Sequence, residues 1–374
     1  MPGVSIFRYG FQRGFTQGIH PLAAEFETKV MFGEAVGRAA MALKEKGFVP
    51  DIICGHPGWG ETLYLKDVWP HAKLLSFREF YYHFDGADVN FDPEFQDTGF
   101  EAAARVRTKN AYSLLAMESS DWGVSPTEWQ KRQFPDWVRS NISVIHDGID
   151  TDAVAPDPHA ELRLQEKGAV LKAGDEVITF INRNLEPYRG YHIFMRSLPE
   201  VLRRRPDAHV LIIGGEGISY GAKAPDGKTW KQIYLDEVAD DIDRSRVHFV
   251  GNVGYQAFLR VLQISAVHVY LTYPFVLSWS MLEAMSCGCL VIGSRTAPVE
   301  EVIRDGENGL LVDFFDPAAL AEKMISVLAD PAAHAPLRLR AREHIVANYD
   351  LRTVCLPRHI ELIEKLASSS LLAG

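Results

Sequence analysis

One acid and two hydroxyls at the start of a helical run carry the clearest chemistry in this sequence. From Trp279 to Cys287 the residues favour a helix, Gly288 supplies a left-handed stop, and Leu290-Val291-Ile292 follows as a strand apolar on both faces. Ser278 and Ser280 stand at the helix N-terminus, where unpaired amides and a partial positive charge suit a phosphate. Glu283 lies one turn further in, where its carboxylate can accept both hydroxyls of a sugar diol. Phosphate beside diol describes a nucleotide; an ordinary amphipathic helix with a solvated Glu283 is the plain alternative.

Two further groups could act with it. Arg183 and Arg189 flank the turn after Val177–Ile181, and guanidinium groups suit bidentate phosphate contact. His56 follows the apolar run Ile52–Cys54, and Glu79 follows Leu74–Phe77, so both stand at strand C-termini, where open α/β sheets bind ligands. The aromatics Trp59, Phe80, Tyr81 and Tyr82 beside them suit stacking on a sugar, and core packing serves them nearly as well. Asp150-Thr151-Asp152 and Asp241-Ile242-Asp243 have the form of a metal-holding pair, but the first lies in a linker and the second on a charged helix face. No metal ligand set is assigned.

These residues need a scaffold of alternating helices and short apolar runs, the pattern of parallel α/β domains. Leu22 to Lys46 reads as a helix whose small-residue stripe, including Gly33 and Gly37, would lie close on a sheet. The strands expected in the second half are Val177–Ile181, Val210–Ile213, Val247–Val250, Val267–Leu271, Leu290–Ile292 and Leu310–Val312. Ser219 to Lys231 is polar and glycine-rich and reads as a mobile loop. With 374 residues, two domains are expected. They are an N-terminal one over 1–150, a second over 160–345, and a final segment 346–374 forming a helix that crosses back to the first.

The formal charge of −10 argues against a nucleic-acid partner. The four cysteines, Cys54, Cys287, Cys289 and Cys355, form no metal spacing or disulfide framework and read as small buried residues of a reducing cytoplasm. Val261 to Leu282 lacks Asp, Glu, Lys and Arg, yet its polar residues and Pro274 divide it into helix end, strand, loop and helix start rather than a membrane span.

The stretch Tyr273 to Ile292 resembles the nucleotide-sugar motif of retaining glycosyltransferases of family 4 (group 1), which have the GT-B fold. Glu283 and the residues after it match the second half of that motif. The first of the family's two glutamates falls on Phe275, and the glycine after it on Ser278. Further similarity lies in the linker Ser143–Asp150, the strand end Gly214-Gly215-Glu216-Gly217, the turn Phe249–Asn252 and the run Glu301–Leu310. It is dense from about Val144 to Leu320.

The resemblance implies two Rossmann-like domains facing across a cleft, the second holding the donor. It implies transfer of a hexose from a nucleoside diphosphate sugar to an acceptor hydroxyl, with retention and without a metal or other cofactor. Glu283 would bind the ribose, with Gly215 and Asn252 also on the nucleotide. The Ser278, Trp279 and Ser280 amides, Arg183 and Arg189 would hold the diphosphate. Here Arg189 falls on the family's lysine, while its arginine falls on Asn184. His56 and Glu79 would stand near the sugar. The acceptor would be a glycan, a glycolipid or other lipid-linked acceptor, or a small molecule, in the cytoplasm, with room for a peripheral membrane contact. A nucleotide-sugar epimerase of the same architecture and a silent nucleotide- or glycan-binding protein remain open. Pro2 to Tyr9 resembles a strand that relatives reach only after about sixty residues. The first domain is therefore expected to lack its opening strand–helix unit, with Met1 at an internal position.

Overall fold

The computed structural model describes residues 3–164 and 170–371, so the reading of Met1 lies outside the described residues. Two compact units emerge, one of residues 1–147 with 356–374 and one of residues 148–355. The boundaries differ from the expected 150 and 346. The helix Pro331–Tyr349 stays with the second unit because Ala341 and Ile345 are buried in that unit's core. Asp350 then ties the chain to Thr151 by a 2.6 Å hydrogen bond.

The first unit is built on four parallel strands, β1 (Ile52–Gly55), β2 (Lys73–Phe77), β3 (Trp122–Ser125) and β4 (Ile142–Val144), paired in chain order. The long helix Pro21–Glu45 precedes them. Its small-residue stripe meets a turn rather than the sheet: a Cβ on Gly33 would stand 2.9 Å from the Gly60 carbonyl and 3.0 Å from Leu63. Residues Val4 to Tyr9 form no strand, and Val4, Ile6 and Phe7 are exposed, because they make no ladder with the edge strand β1. The same edge position leaves Cys54 exposed, against the expectation of four buried thiols; Cys287, Cys289 and Cys355 are buried. The helix Leu356–Leu371 lays Leu362, Ile363 and Leu366 on Leu75, Val124 and Ile145 of this sheet.

The second unit opens with an antiparallel hairpin, β5 (Glu161–Arg163) with β6 (Val170–Lys172). Six parallel strands follow: β7 (Val177–Asn184), β8 (His209–Gly215), β9 (Val247–Gly251), β10 (Val267–Tyr270), β11 (Leu290–Ser294) and β12 (Leu310–Val312). Their order is β12-β11-β10-β7-β8-β9. Helices cover both faces, so Val177, Ile178, Phe180, Val210 and Leu290 are wholly buried. Each such aliphatic side chain contributes roughly 1.5–3 kcal/mol through burial. The order reverses between β7 and β10, and in open α/β sheets a crevice forms at the strand C-termini of such a reversal.

No helix among the described residues is long and apolar enough to cross a membrane. The uncharged window near Val261 divides into the helix Tyr255–Gln263, β10 and the helix Trp279–Ser286. The loop expected over Ser219–Lys231 is shorter and held down. The buried Glu186 carboxylate accepts from the Ser219 and Gly221 amides at 3.2 and 3.1 Å. A helix begins at Trp230, capped by Thr229.

Candidate functional site

At the strand-order reversal of the second unit, the loop after β10 leads into the helix Trp279–Ser286, with Glu283 in its second turn. Ser278 caps this helix, its Oγ accepting from the Ser280 amide at 3.4 Å and sharing a 2.9 Å bond with the Ser280 hydroxyl. The Ser278 amide donates to the Tyr270 hydroxyl at 2.7 Å. Two of the three amides expected to face a phosphate are therefore engaged inside the unit. Capping explains this, since a serine at that position satisfies the second helical amide. Trp279 supplies the remaining amide and an exposed indole.

Glu283 does not stand alone. Tyr255 donates its hydroxyl to Glu283 Oε1 at 2.8 Å. Burial pushes the Glu283 carboxyl above its ordinary value, and the tyrosine bond offsets part of that shift. Tyr255 opens the helix after the turn that carries Asn252, which brings the β9 end to the ribose-binding candidate.

The two arginines separate. Arg183 sits at the end of β7 with an exposed side chain. Arg189 is only 5% exposed. Its Nη1 donates to Thr272 Oγ1 at 2.6 Å and to the Val276 carbonyl at 3.1 Å, and reaches the Tyr270 hydroxyl at 3.4 Å. Its guanidinium lies 5.0 Å from the Tyr220 ring centre and 5.7 Å from that of Phe275. Burial opposes its charge, the Tyr270, Tyr220 and Tyr188 hydroxyls favour it, and the balance holds it above the usual arginine value. Arg189 is thus a buried cation that fixes the loop Thr272–Ser278. The turn Pro187–Arg189, closed by Gly190 at φ 72°, folds it inward.

Phe275, at the position of the resembling family's first glutamate, completes this apolar surround. It meets Tyr188 and Tyr220 at 5.1 Å between ring centres.

Gly215 and Asn252 do come together. A Cβ on Gly215 would lie 2.6 Å from Asn184 Oδ1 and 3.1 Å from Asn252 Nδ2, so glycine there lets three strand ends converge. Asn184 acts as a staple, accepting from the Gly217 amide at 3.0 Å and donating to Ser219 Oγ at 2.8 Å.

In the first unit, His56 Nδ1 accepts from the Gly58 amide at 2.9 Å. That bond puts the ring proton of neutral His56 on Nε2, which faces Glu79 Oε2 at 3.3 Å. Asp147 stands nearby, half-buried. Burial raises its carboxyl, His359 lowers it, Glu79 raises it and His56 lowers it, and the balance is upward. Burial and His359 push His146 down to about 4, leaving it neutral at pH 7. The aromatics divide. Trp59 is exposed, Phe80 is buried and stacks on Trp129, Tyr81 packs near Phe134, and Tyr82 lies under Lys109. Only Trp59 among these four offers an exposed ring.

Neither acidic pair is placed as a metal clamp: Asp150 pairs with Arg352 at 3.0 Å and Asp243 with Arg246 at 3.0 Å. Sequence reasoning missed Tyr255, Glu186 and Asp147. Tyr255 could have been marked by its place just after Asn252-Val253-Gly254, a strand-to-helix turn like the one carrying the arginines.

Residues 163–344 match the family model for glycosyl transferases group 1, and residues 1–154 that for the glycosyl transferase family 4 group. A GDP-mannose-dependent alpha-(1-6)-phosphatidylinositol monomannoside mannosyltransferase of Mycolicibacterium smegmatis is 29% identical over 215 residues, 55% of this chain and 52% of that protein. A D-inositol 3-phosphate glycosyltransferase of Mycobacterium sp. (strain KMS) is 29% identical over 206 residues, 55% of this chain and 43% of its own length. The chain thus spans about half the length of the curated relatives it matches.

Among solved structures, sucrose-phosphate synthase from Thermosynechococcus elongatus superposes with TM-score 0.70 at 20% identity, covering 96% of this chain and 83% of that one. Anabaena HepE in complex with UDP and glucose gives 0.66 at 17%, covering 93% and 84%. At these identities the likeness concerns the fold, which is GT-B.

Proposed function

Because the chain belongs to the group 1 glycosyltransferases, we propose that it transfers a hexose from a nucleoside diphosphate sugar to an acceptor hydroxyl with retention of configuration. The observation that carries this reading is Glu283 in the second turn of the helix at the strand-order reversal, already hydrogen-bonded to a hydroxyl, that of Tyr255. A ribose diol presents the same donor chemistry.

In this reading Glu283 holds the ribose, and Gly215 and Asn252 line the nucleotide's path. The Trp279 amide, the helix N-terminus and exposed Arg183 meet the diphosphate and stabilise its departure. Arg189 acts through the loop Thr272–Ser278 and adds fixed positive charge behind it, so the leaving group is neutralised without a metal. The Nε2–H of His56, paired with Glu79, is the first unit's candidate group for contact with a sugar. The acceptor is a glycan, a glycolipid or a small molecule, and the setting is the cytoplasm. HepE was solved with UDP and glucose, and the mannosyltransferase relative is described as GDP-mannose-dependent, which supports a nucleotide-sugar donor of either base.

A second reading, a nucleotide-sugar-binding protein without transfer, is favoured by one feature: Phe275 occupies the first glutamate's position inside an aromatic cluster. A transfer assay with radiolabelled UDP- and GDP-hexoses and mixed glycan acceptors separates the two. Labelled product with an α-linkage from an α-linked donor supports retaining transfer, and donor binding without product or hydrolysis supports the silent binder.

A further inference from the structure

The first unit contains a buried cation that the donor reading does not use. Arg78 directly follows β2 and is 4% exposed. Its Nη2 donates to the Ala116 carbonyl at 3.3 Å and to the Ser120 hydroxyl. Its Nε and Nη1 are buried and find no hydrogen-bond partner among the described residues.

The strand register groups other polar atoms with it. Ser76 is opposite Gly123 and Phe77 opposite Val124, and the Arg78 amide continues the ladder to the Val124 carbonyl. Successive side chains alternate faces, so Ser76, Arg78, Gly123 and Ser125 share one face. The Ser76 and Ser125 hydroxyls are also buried without a partner among the described residues. Gly123 leaves room for the guanidinium stem, since a Cβ there would meet Arg78 Cγ at 2.8 Å and Nε at 3.2 Å. A cavity of about 30 Å³ adjoins Arg78, lined also by Glu79, His56, Tyr112, Ser113 and Phe134 among others. That volume takes one small polar group and no sugar ring.

A buried charge with two idle donors costs stability unless something pairs with it. Burial pushes the Arg78 guanidinium down to about 10. Guanidinium forks are matched by planar carboxylates and by phosphates.

We propose that Arg78, with the Ser76 and Ser125 hydroxyls, forms an oxyanion subsite at the C-terminal edge of the first unit's sheet, and that the acceptor presents a carboxylate or phosphate to it. His56 lines the same cavity, which puts the anion of the acceptor beside the first unit's candidate group for contact with a sugar. The acceptor class becomes an anionic one, an acidic sugar or a phosphorylated alcohol. This rests on the transferase reading, but the subsite itself can be tested apart from it.

The test is calorimetry on the full chain with inorganic phosphate and, separately, acetate, each with a saturating nucleoside diphosphate so that the donor pocket is filled. One anion should bind saturably, and the preferred one assigns phosphate or carboxylate as the group. Arg78→Met should weaken that binding at least tenfold, while nucleoside diphosphate affinity stays unchanged. Arg78→Lys, which keeps charge and loses the fork, should fall between. If Arg78→Met does not fold, Ser76→Ala with Ser125→Ala carries the test, with a several-fold loss expected. Failure of the nucleoside diphosphate to bind removes the donor reading; the anion titrations are then run without it. Absence of binding by both anions, or binding unaltered by these substitutions, overturns the subsite.

Discussion

The Tyr255 hydroxyl donates to Glu283 at 2.8 Å, so in the free chain a tyrosine from the β9 turn occupies the carboxylate expected to receive a ribose. A donor must displace or share that bond. Tyr255→Phe should therefore tighten nucleoside diphosphate binding by about two- to tenfold, since a net hydrogen bond is worth roughly 0.5–1.5 kcal/mol. Calorimetry with UDP and GDP measures it. Weaker binding by the variant would make Tyr255 a ligand-binding group instead.

The same pair sets a pH dependence. Burial raises the Glu283 carboxyl, so its charged form is lost at a higher pH than for an ordinary glutamate. Donor affinity should be full at neutral pH and decline on acidification, beginning above the 4.5 of an unperturbed glutamate. Tyr255→Phe removes the bond that lowers this value, so its decline should begin at a still higher pH. An affinity–pH profile for both proteins checks the order.

The two arginines should behave differently. Arg189 is buried and bonded to Thr272 and Val276, so Arg189→Ala should destabilise the fold by on the order of 3–5 kcal/mol. Arg183 is exposed, so Arg183→Ala should leave stability within about 0.5 kcal/mol and lower turnover. Denaturation curves with transfer rates separate these effects. Transfer should also persist in EDTA, and loss restored by manganese would move the leaving-group role to a metal.

Asp350 accepts from Thr151, from the Thr353 amide and hydroxyl, and from the Arg352 amide. Burial would raise its carboxyl, but these bonds outweigh it and hold the value down at about 2. A depressed value means its contribution is present above the unfolded 3.8 and lost as pH falls through about 2. Asp350→Ala should cost on the order of 2–3 kcal/mol at pH 7 and progressively less below pH 4. Urea denaturation at pH 7 and pH 2.5 reads the difference.

Much of the second unit was legible because its central strands carry unbroken apolar runs, such as Val210 to Ile213, buried on both faces. β3 was not, since Trp122-Gly123-Val124-Ser125 has no such run and is a strand only through pairing with β2 and β4. Glu283 could be singled out because helix, acid and glycine stop are adjacent in sequence. Its partner Tyr255 lies 28 residues away, and only its place after the Asn252-Val253-Gly254 turn could have marked it. Arg183 and Arg189 look alike in sequence. Only the inward turn at Pro187–Arg189 separates an exposed cation from a buried one. Phe80 and Tyr81 read as sugar platforms for a related reason, since an aromatic run shows nothing of which ring the core takes.

The central claim is that Glu283 binds the ribose of a nucleoside diphosphate, and calorimetry of UDP and GDP with the unaltered chain and Glu283→Gln tests it most directly. A charge-assisted hydrogen bond contributes roughly 1.5–3 kcal/mol, so the account predicts binding by the unaltered chain and a loss on the order of ten- to a hundredfold in the variant. Equal affinity of the two folded proteins for the nucleotide, or no binding by either, would contradict it.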